Sequence, residues 1–219
     1  MDQFAKERQS VAAMMKRLYD CRLTTTSGGN ISLRISDTMF CITPSKLDKA
    51  NLRAEQIAVV SMDGNNLTEN LALSIESEMH RKALQCRPDI NAVVHAHPCY
   101  ASAFTAMQQS INTRLLAESW FLLEDPVYAE YKRMGTKDLA DSVASALQKS
   151  NVILMENHGI LTVGKTLLEA FDLIEVLENA ARMTMIVNTM ALTGKWKTKE
   201  LSQERCDELM KMKYPQRKS

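Results

Sequence analysis

The chain reads as a single α/β domain spanning residues 1–219, on three observations. Short runs that alternate apolar and polar residues, or are rich in β-branched ones, crowd the first third. Longer stretches with apolar residues at helical spacing dominate the rest. No repeat, low-complexity segment or linker divides them, and 219 residues can bury one substantial core.

In chain order, Phe4, Val11, Met14, Met15 and Leu18 recur at near-helical spacing and predict an amphipathic helix to about Tyr19. Thr24-Thr25-Thr26-Ser27-Gly28-Gly29-Asn30 is a loop, and the strict alternation of Ile31-Ser32-Leu33-Arg34-Ile35 predicts a half-buried strand. Residues 39–43 and 57–61 are further strands, with Met62-Asp63-Gly64-Asn65 as a turn. Ser74 is placed as the N-cap of a helix whose apolar face carries Met79 and Leu84. Val93 and Val94 begin a strand that Pro98 ends, because proline has no N–H for a ladder. Helices are predicted near residues 100–107, 137–148 and 167–192, and Val152-Ile153-Leu154-Met155 as a buried strand followed by a turn at His158-Gly159. The 14 methionines fall mostly on helix faces, where core filling explains them better than metal binding.

Lysine plus arginine, 27, nearly balance aspartate plus glutamate, 26, and no long basic run occurs. Nucleic acid and anionic membranes are therefore not expected partners. The five cysteines are odd in number, scattered and without a Cys-x-x-Cys pair, and the amino end opens polar. Both features predict a cytoplasmic protein with reduced thiols. No apolar run approaches the roughly 18 residues of a membrane helix.

Three of the four histidines sit where strands end, as Val93-Val94-His95-Ala96-His97-Pro98 and Leu154-Met155-Glu156-Asn157-His158-Gly159. Side chains at i and i+2 of a strand share a face, so His95 and His97 are spaced to hold one cation. A lone histidine in a strand is more often structural, and His80, on a predicted helix, is read that way. Three imidazoles with an open position are a common way to hold catalytic zinc, whereas structural zinc is usually closed by cysteines.

Ser27-Gly28-Gly29-Asn30-Ile31-Ser32, Ile42-Thr43-Pro44-Ser45, Ser74-Ile75-Glu76, the stretch from Arg87 to His97 and Asn157-His158-Gly159 are five motifs in register. On them the chain resembles the class II aldolase/adducin family from about residue 5 to residue 190. The resemblance implies a three-layer α/β/α fold around a largely antiparallel sheet, and a homotetramer with active sites at subunit contacts. It also implies one Zn2+ per subunit on His95, His97, His158 and Glu76, with Glu76 doubling as the acid/base. The residues alone would make Glu76 merely an acidic group in a helix's first turn. The substrate implied is a phosphorylated ketose, a ketose 1-phosphate such as L-fuculose 1-phosphate cleaved to dihydroxyacetone phosphate and L-lactaldehyde. Epimerase, decarboxylase and dehydratase are alternatives on the same scaffold, toward which glutamate at 76 leans less. A metal-free assembly module like the adducin head would need neither the histidines nor Glu76.

The resemblance puts the substrate phosphate on Gly29, Asn30, Ser45 and Ser74, and turns of this kind cradle anions with backbone N–H groups. Ser45-Lys46 stands where the family has Thr-Gly, and Ile75 replaces a second serine. Lys46 is therefore expected to supply the missing interaction as a point charge. Leu116 stands where a tyrosine lines the related pocket. Tyr214 matches a catalytic tyrosine that comes from a neighbouring subunit's tail.

Overall fold

A computed structural model describes residues 4–107 and 109–216. Its elements run α1 (Ala5–Asp20), β1 (Asn30–Ser36), β2 (Met39–Ile42), β3 (Ala58–Ser61), α2 (Ser77–Cys86), β4 (Ala92–Ala96) and α3 (Cys99–Thr105). Then follow α4 (Ala117–Leu123), β5 (Val127–Ala129), α5 (Lys137–Ala146), β6 (Val152–Met155), β7 (Gly159–Gly164), α6 (Leu167–Ala191) and α7 (Gln203–Lys213). The strands form one sheet in the order β3-β2-β1-β4-β7-β6-β5, antiparallel except for the β5/β6 pair.

Side-chain alternation divides the core into two layers, one on each face of the sheet. Ile31, Val94, Leu154 and Ile160 pack with Val11, Met15, Phe104, Phe171 and Ile174, under α1, α3 and α6. Phe40, Val93, Ile153 and Leu161 pack with Met79, Leu84, Leu139 and Val143, under α2 and α5. Helices on both faces of a mixed sheet give the expected three layers.

The helix expected from Ser74 begins at Ser77 instead, with Glu76 at its N-cap position. Ser74 still serves the start, since its Oγ accepts from the Glu76 backbone N–H at 3.3 Å. Four elements are not foreseen: α4, β5, β7 and α7. In β7 both faces are buried along Gly159-Ile160-Leu161-Thr162-Val163-Gly164, so no alternation betrays it. Among the described residues no helix is long and apolar enough to cross a membrane.

Candidate active site

The site lies on the α2 face of the sheet because parity puts it there. On β4, Val93 faces α2 and α5, so His95, two residues on, points the same way. Asn30 on β1 is the register partner of His95, and Asn30 and Ser32 share that face. Glu76 and His80, one turn apart, are set over these strands at the start of α2. His158 arrives from the β6–β7 turn, in which Asn157 takes a left-handed φ of 53° and His158 N–H bonds Met155 O at 3.1 Å.

The three imidazoles converge, with ligand atoms within 4.8 Å of one another. Glu76 faces them, its Oε2 3.2 Å from His95 Nε2 and its Oε1 3.0 Å from His158 Nε2. His95 donates from Nδ1 to Ile160 O at 2.8 Å, which assigns Nε2 as the bare nitrogen. His95 Nε2 and Glu76 Oε1 are both buried and lack a well-aligned hydrogen-bond partner. A buried lone pair this close to a carboxylate needs a proton or a cation between them. The electrostatics agree. Burial opposes ionisation of Glu76, but His95, His158 and the Asn30 amide outweigh it and hold the carboxyl below its usual range. Burial also works against a charged His95, yet Glu76 lifts it above the ordinary imidazole value. His97 is pushed down to about 4 by burial, then by His95 and His158, and so offers a neutral lone pair at pH 7. Three nitrogens and one carboxylate aimed at one point fit a divalent ion such as zinc.

A second set of bonds orients the carboxylate. Asn30 Nδ2 donates to Glu76 Oε2 at 2.8 Å and to Ser74 Oγ at 3.2 Å. Its Oδ1 is then the acceptor for His80 Nε2–H, which leaves His80 Nδ1 to accept from Ser32 Oγ at 2.7 Å. Burial first, and the charge on His95 second, push His80 down to about 3, so it stays neutral. His80 is thus structural, as expected from the sequence, but the structure it maintains is that of Glu76.

His97 sits in a slot that only glycines leave open. A Cβ at Gly159 would come 2.4 Å from His97 Cδ2 and 2.8 Å from Ala96 O, and one at Gly28 would come 2.9 Å from His97 Nδ1. Gly159→Ala is therefore expected to turn the His97 ring away and weaken metal binding by about 10–100-fold, the scale for losing an orienting partner. Metal titration of the folded variant checks this; unchanged affinity would mean that the ring finds another way in.

A cavity of about 490 Å³ opens beside the histidines. Gly29, Asn30, Ser45, Ser74 and Glu76 all line it, as do His97 and His158. Gly29 has φ +69°, and a Cβ there would meet His95 O at 2.7 Å, so the turn must be glycine. Lys46, expected to reach the phosphate, is exposed and is not among the described residues that line the cavity. It occupies a left-handed φ of 59°, a conformation that glycine adopts more readily than lysine. The lysine that borders the cavity is Lys49, which nothing in its polar loop context distinguishes in sequence. Ile75 and Met134, 59% and 57% exposed, form an apolar rim. Leu116, at the start of α4, does not reach the lining. Tyr214 donates to Glu124 Oε1 at 2.6 Å and borders a different cavity of its own chain, beside Leu122 and Arg87.

The Class II Aldolase and Adducin N-terminal domain family matches residues 9–185. The chain belongs to the class II aldolase/adducin family. It is 34% identical over 173 residues to an L-fuculose phosphate aldolase of Methanococcus maripaludis, covering 79% of this chain and 93% of that one. A 5-deoxy-D-ribulose 1-phosphate aldolase of Bacillus thuringiensis serovar kurstaki is 30% identical over 182 residues, 81% of this chain and 84% of the relative. Among solved structures, an L-fuculose 1-phosphate aldolase superposes with a TM-score of 0.83 at 28% identity, covering 94% of each chain. Within the family the chain falls with the aldolases, which are carbon–carbon lyases.

Proposed function

We propose that this aldolase is zinc-dependent and cleaves a ketose 1-phosphate between C3 and C4, taking L-fuculose 1-phosphate to dihydroxyacetone phosphate and L-lactaldehyde. The supporting observation is one carboxylate, Glu76, held against His95 and His158 beside a cavity walled by Ser27, Ser45, Ser74 and the Gly28-Gly29 turn. The 1-phosphate ketoses named for the Bacillus relative and for the solved L-fuculose 1-phosphate aldolase share a dihydroxyacetone phosphate half, which suits such a wall of short hydroxyls and backbone.

When bound by His95, His97, His158 and Glu76, zinc supplies a Lewis acid for charge developing on the ketose oxygens. The chain's own residues handle the protons. As the C4 hydroxyl gives up its proton, the C3–C4 electron pair moves toward the C2 carbonyl, and the Glu76 carboxylate, once it has taken up a proton, passes it to C3, so that the net change is one proton moved from the C4 oxygen to C3. Asn30, braced by His80 and Ser32, keeps that carboxyl aimed while Gly29 and Ser74 hold the phosphate end. The aldehyde then departs with the new carbonyl at C4.

We assign the C4 oxygen's proton to Tyr214 from the tail of a neighbouring copy, in a cytoplasmic homotetramer with sites at its subunit contacts. The exposed Ile75 and Met134 rim supports such a contact. Removing residues 213–219 is then expected to lower turnover about a hundredfold, the lower range of acid/base effects, with zinc content and assembly unchanged. Steady-state kinetics beside sedimentation and metal analysis checks this, and a truncated tetramer of full activity would exclude Tyr214.

The decisive assay offers the zinc-loaded protein a panel of phosphorylated ketoses and follows dihydroxyacetone phosphate. Release from L-fuculose 1-phosphate is expected. No release from any of them, alongside turnover of a phosphorylated keto acid, would replace the aldolase reading with a decarboxylase.

A further inference from the structure

The loop between β2 and β3 buries a charge that no carboxylate of the described residues pairs with directly. Lys49 is 3% exposed, and among the described residues its ammonium has one hydrogen-bond acceptor, the carbonyl of Pro44. An ammonium carries three donors, so one carbonyl leaves it short of partners. No carboxylate lies within ion-pair distance of Lys49 among the described residues. The nearest acidic influence is Glu76, whose oxygens already face Asn30, His95 and His158. Buried charges are otherwise paired, because desolvation without compensation is expensive.

We propose that the Lys49 ammonium is the cation that binds the phosphate of the substrate. This rests on the phosphorylated-ketose reading and gives it a residue. Among the described residues, Lys49 is the only lysine or arginine lining the cavity, beside Ser27, Ser45, Ser74 and the Gly28-Gly29 turn. Its backbone is anchored by an N–H bond to Thr26 O at 3.0 Å, which fixes the side chain's root against the same loop. A phosphomonoester dianion supplies both the countercharge and several acceptor oxygens for the unused N–H donors and the serine hydroxyls. Burial, partly offset by Glu76, lowers Lys49 to about 8, which leaves it mainly protonated at pH 7, and a bound dianion would raise it again.

Inorganic phosphate is the probe, titrated calorimetrically into zinc-loaded wild-type protein and into Lys49→Met, Lys49→Gln and Lys46→Met. Wild type and Lys46→Met are expected to bind alike, and both Lys49 variants about ten- to a hundredfold more weakly, the scale of one charge-assisted hydrogen bond. Glutamine keeps a donor for the Pro44 carbonyl without the charge, so it separates ligand binding from a merely structural bond. Full affinity in Lys49→Gln, or no phosphate binding by wild type, overturns the proposal. Should neither variant fold, a crystal structure of wild type with phosphate decides: a phosphate oxygen within hydrogen-bond distance of Lys49 Nζ is expected, and phosphate held elsewhere overturns it. The two readings fail separately. Lys49-dependent phosphate binding in a protein that cleaves no ketose phosphate removes the aldolase reading alone, and ketose cleavage with Lys49-independent phosphate binding removes this one alone.

Discussion

Glu76→Gln is expected to keep its metal and lose turnover by roughly 10²–10⁴-fold, the range for a positioned acid/base. Glutamine fills the same volume and retains an oxygen to accept from the Asn30 amide, which donates to Glu76 at 2.8 Å. The three imidazoles persist, so the ion keeps most of its grip. An amide cannot carry the proton that C3 must receive. Metal analysis and kcat on the same preparation make the test, because the variant separates holding the ion from moving the proton. Zinc lost in Glu76→Gln would make the carboxylate chiefly a ligand; turnover preserved would assign the proton to another group.

His95→Ala, His97→Ala and His158→Ala should each remove metal and activity together. Two imidazoles and a carboxylate remain in each case, with a hole where the ring stood. The loss of affinity should exceed the roughly 10–100-fold typical of an outer partner. His95 carries a further cost: it is fully buried beneath the site, and its removal takes the Nδ1–H donor from Ile160 O and leaves Glu76 Oε2 with the Asn30 amide alone of its two close partners. His95→Ala should therefore lower the melting temperature of the metal-free chain as well. His97, with its depressed pKa and its place between Gly28 and Gly159, should leave metal-free stability closer to unchanged. Metal content and melting curves for all three variants check both parts. Full zinc stoichiometry in every one would dismantle the ligand assignment.

Much of this site is legible before folding. His95 and His97 share a face because a strand has period two, and the Val-Val lead-in with Pro98 behind it marks that strand and its end. Gly29 and Gly159 stand out as turn glycines in short motifs, and the alternating β1 and the long α6 follow from spacing alone. Backbone periodicity and punctuation are local properties, so a single sequence carries them. Which of two nearby lysines enters the cavity is not local. Lys46 and Lys49 lie in one polar loop, and only the left-handed turn at Lys46, with the anchoring of Lys49 to Thr26 and Pro44, sends one outward and the other inward. The role of His80 is equally invisible, because it depends on β1 pairing with β4 in the register Asn30↔His95 beneath the start of α2. The sequence by itself determined the candidate ligand types, their spacing and the turns that present them, since those follow from side-chain chemistry and φ/ψ preference. The tertiary structure alone decided which polar atoms are buried together, because burial and charge compensation are set by contacts between segments tens of residues apart.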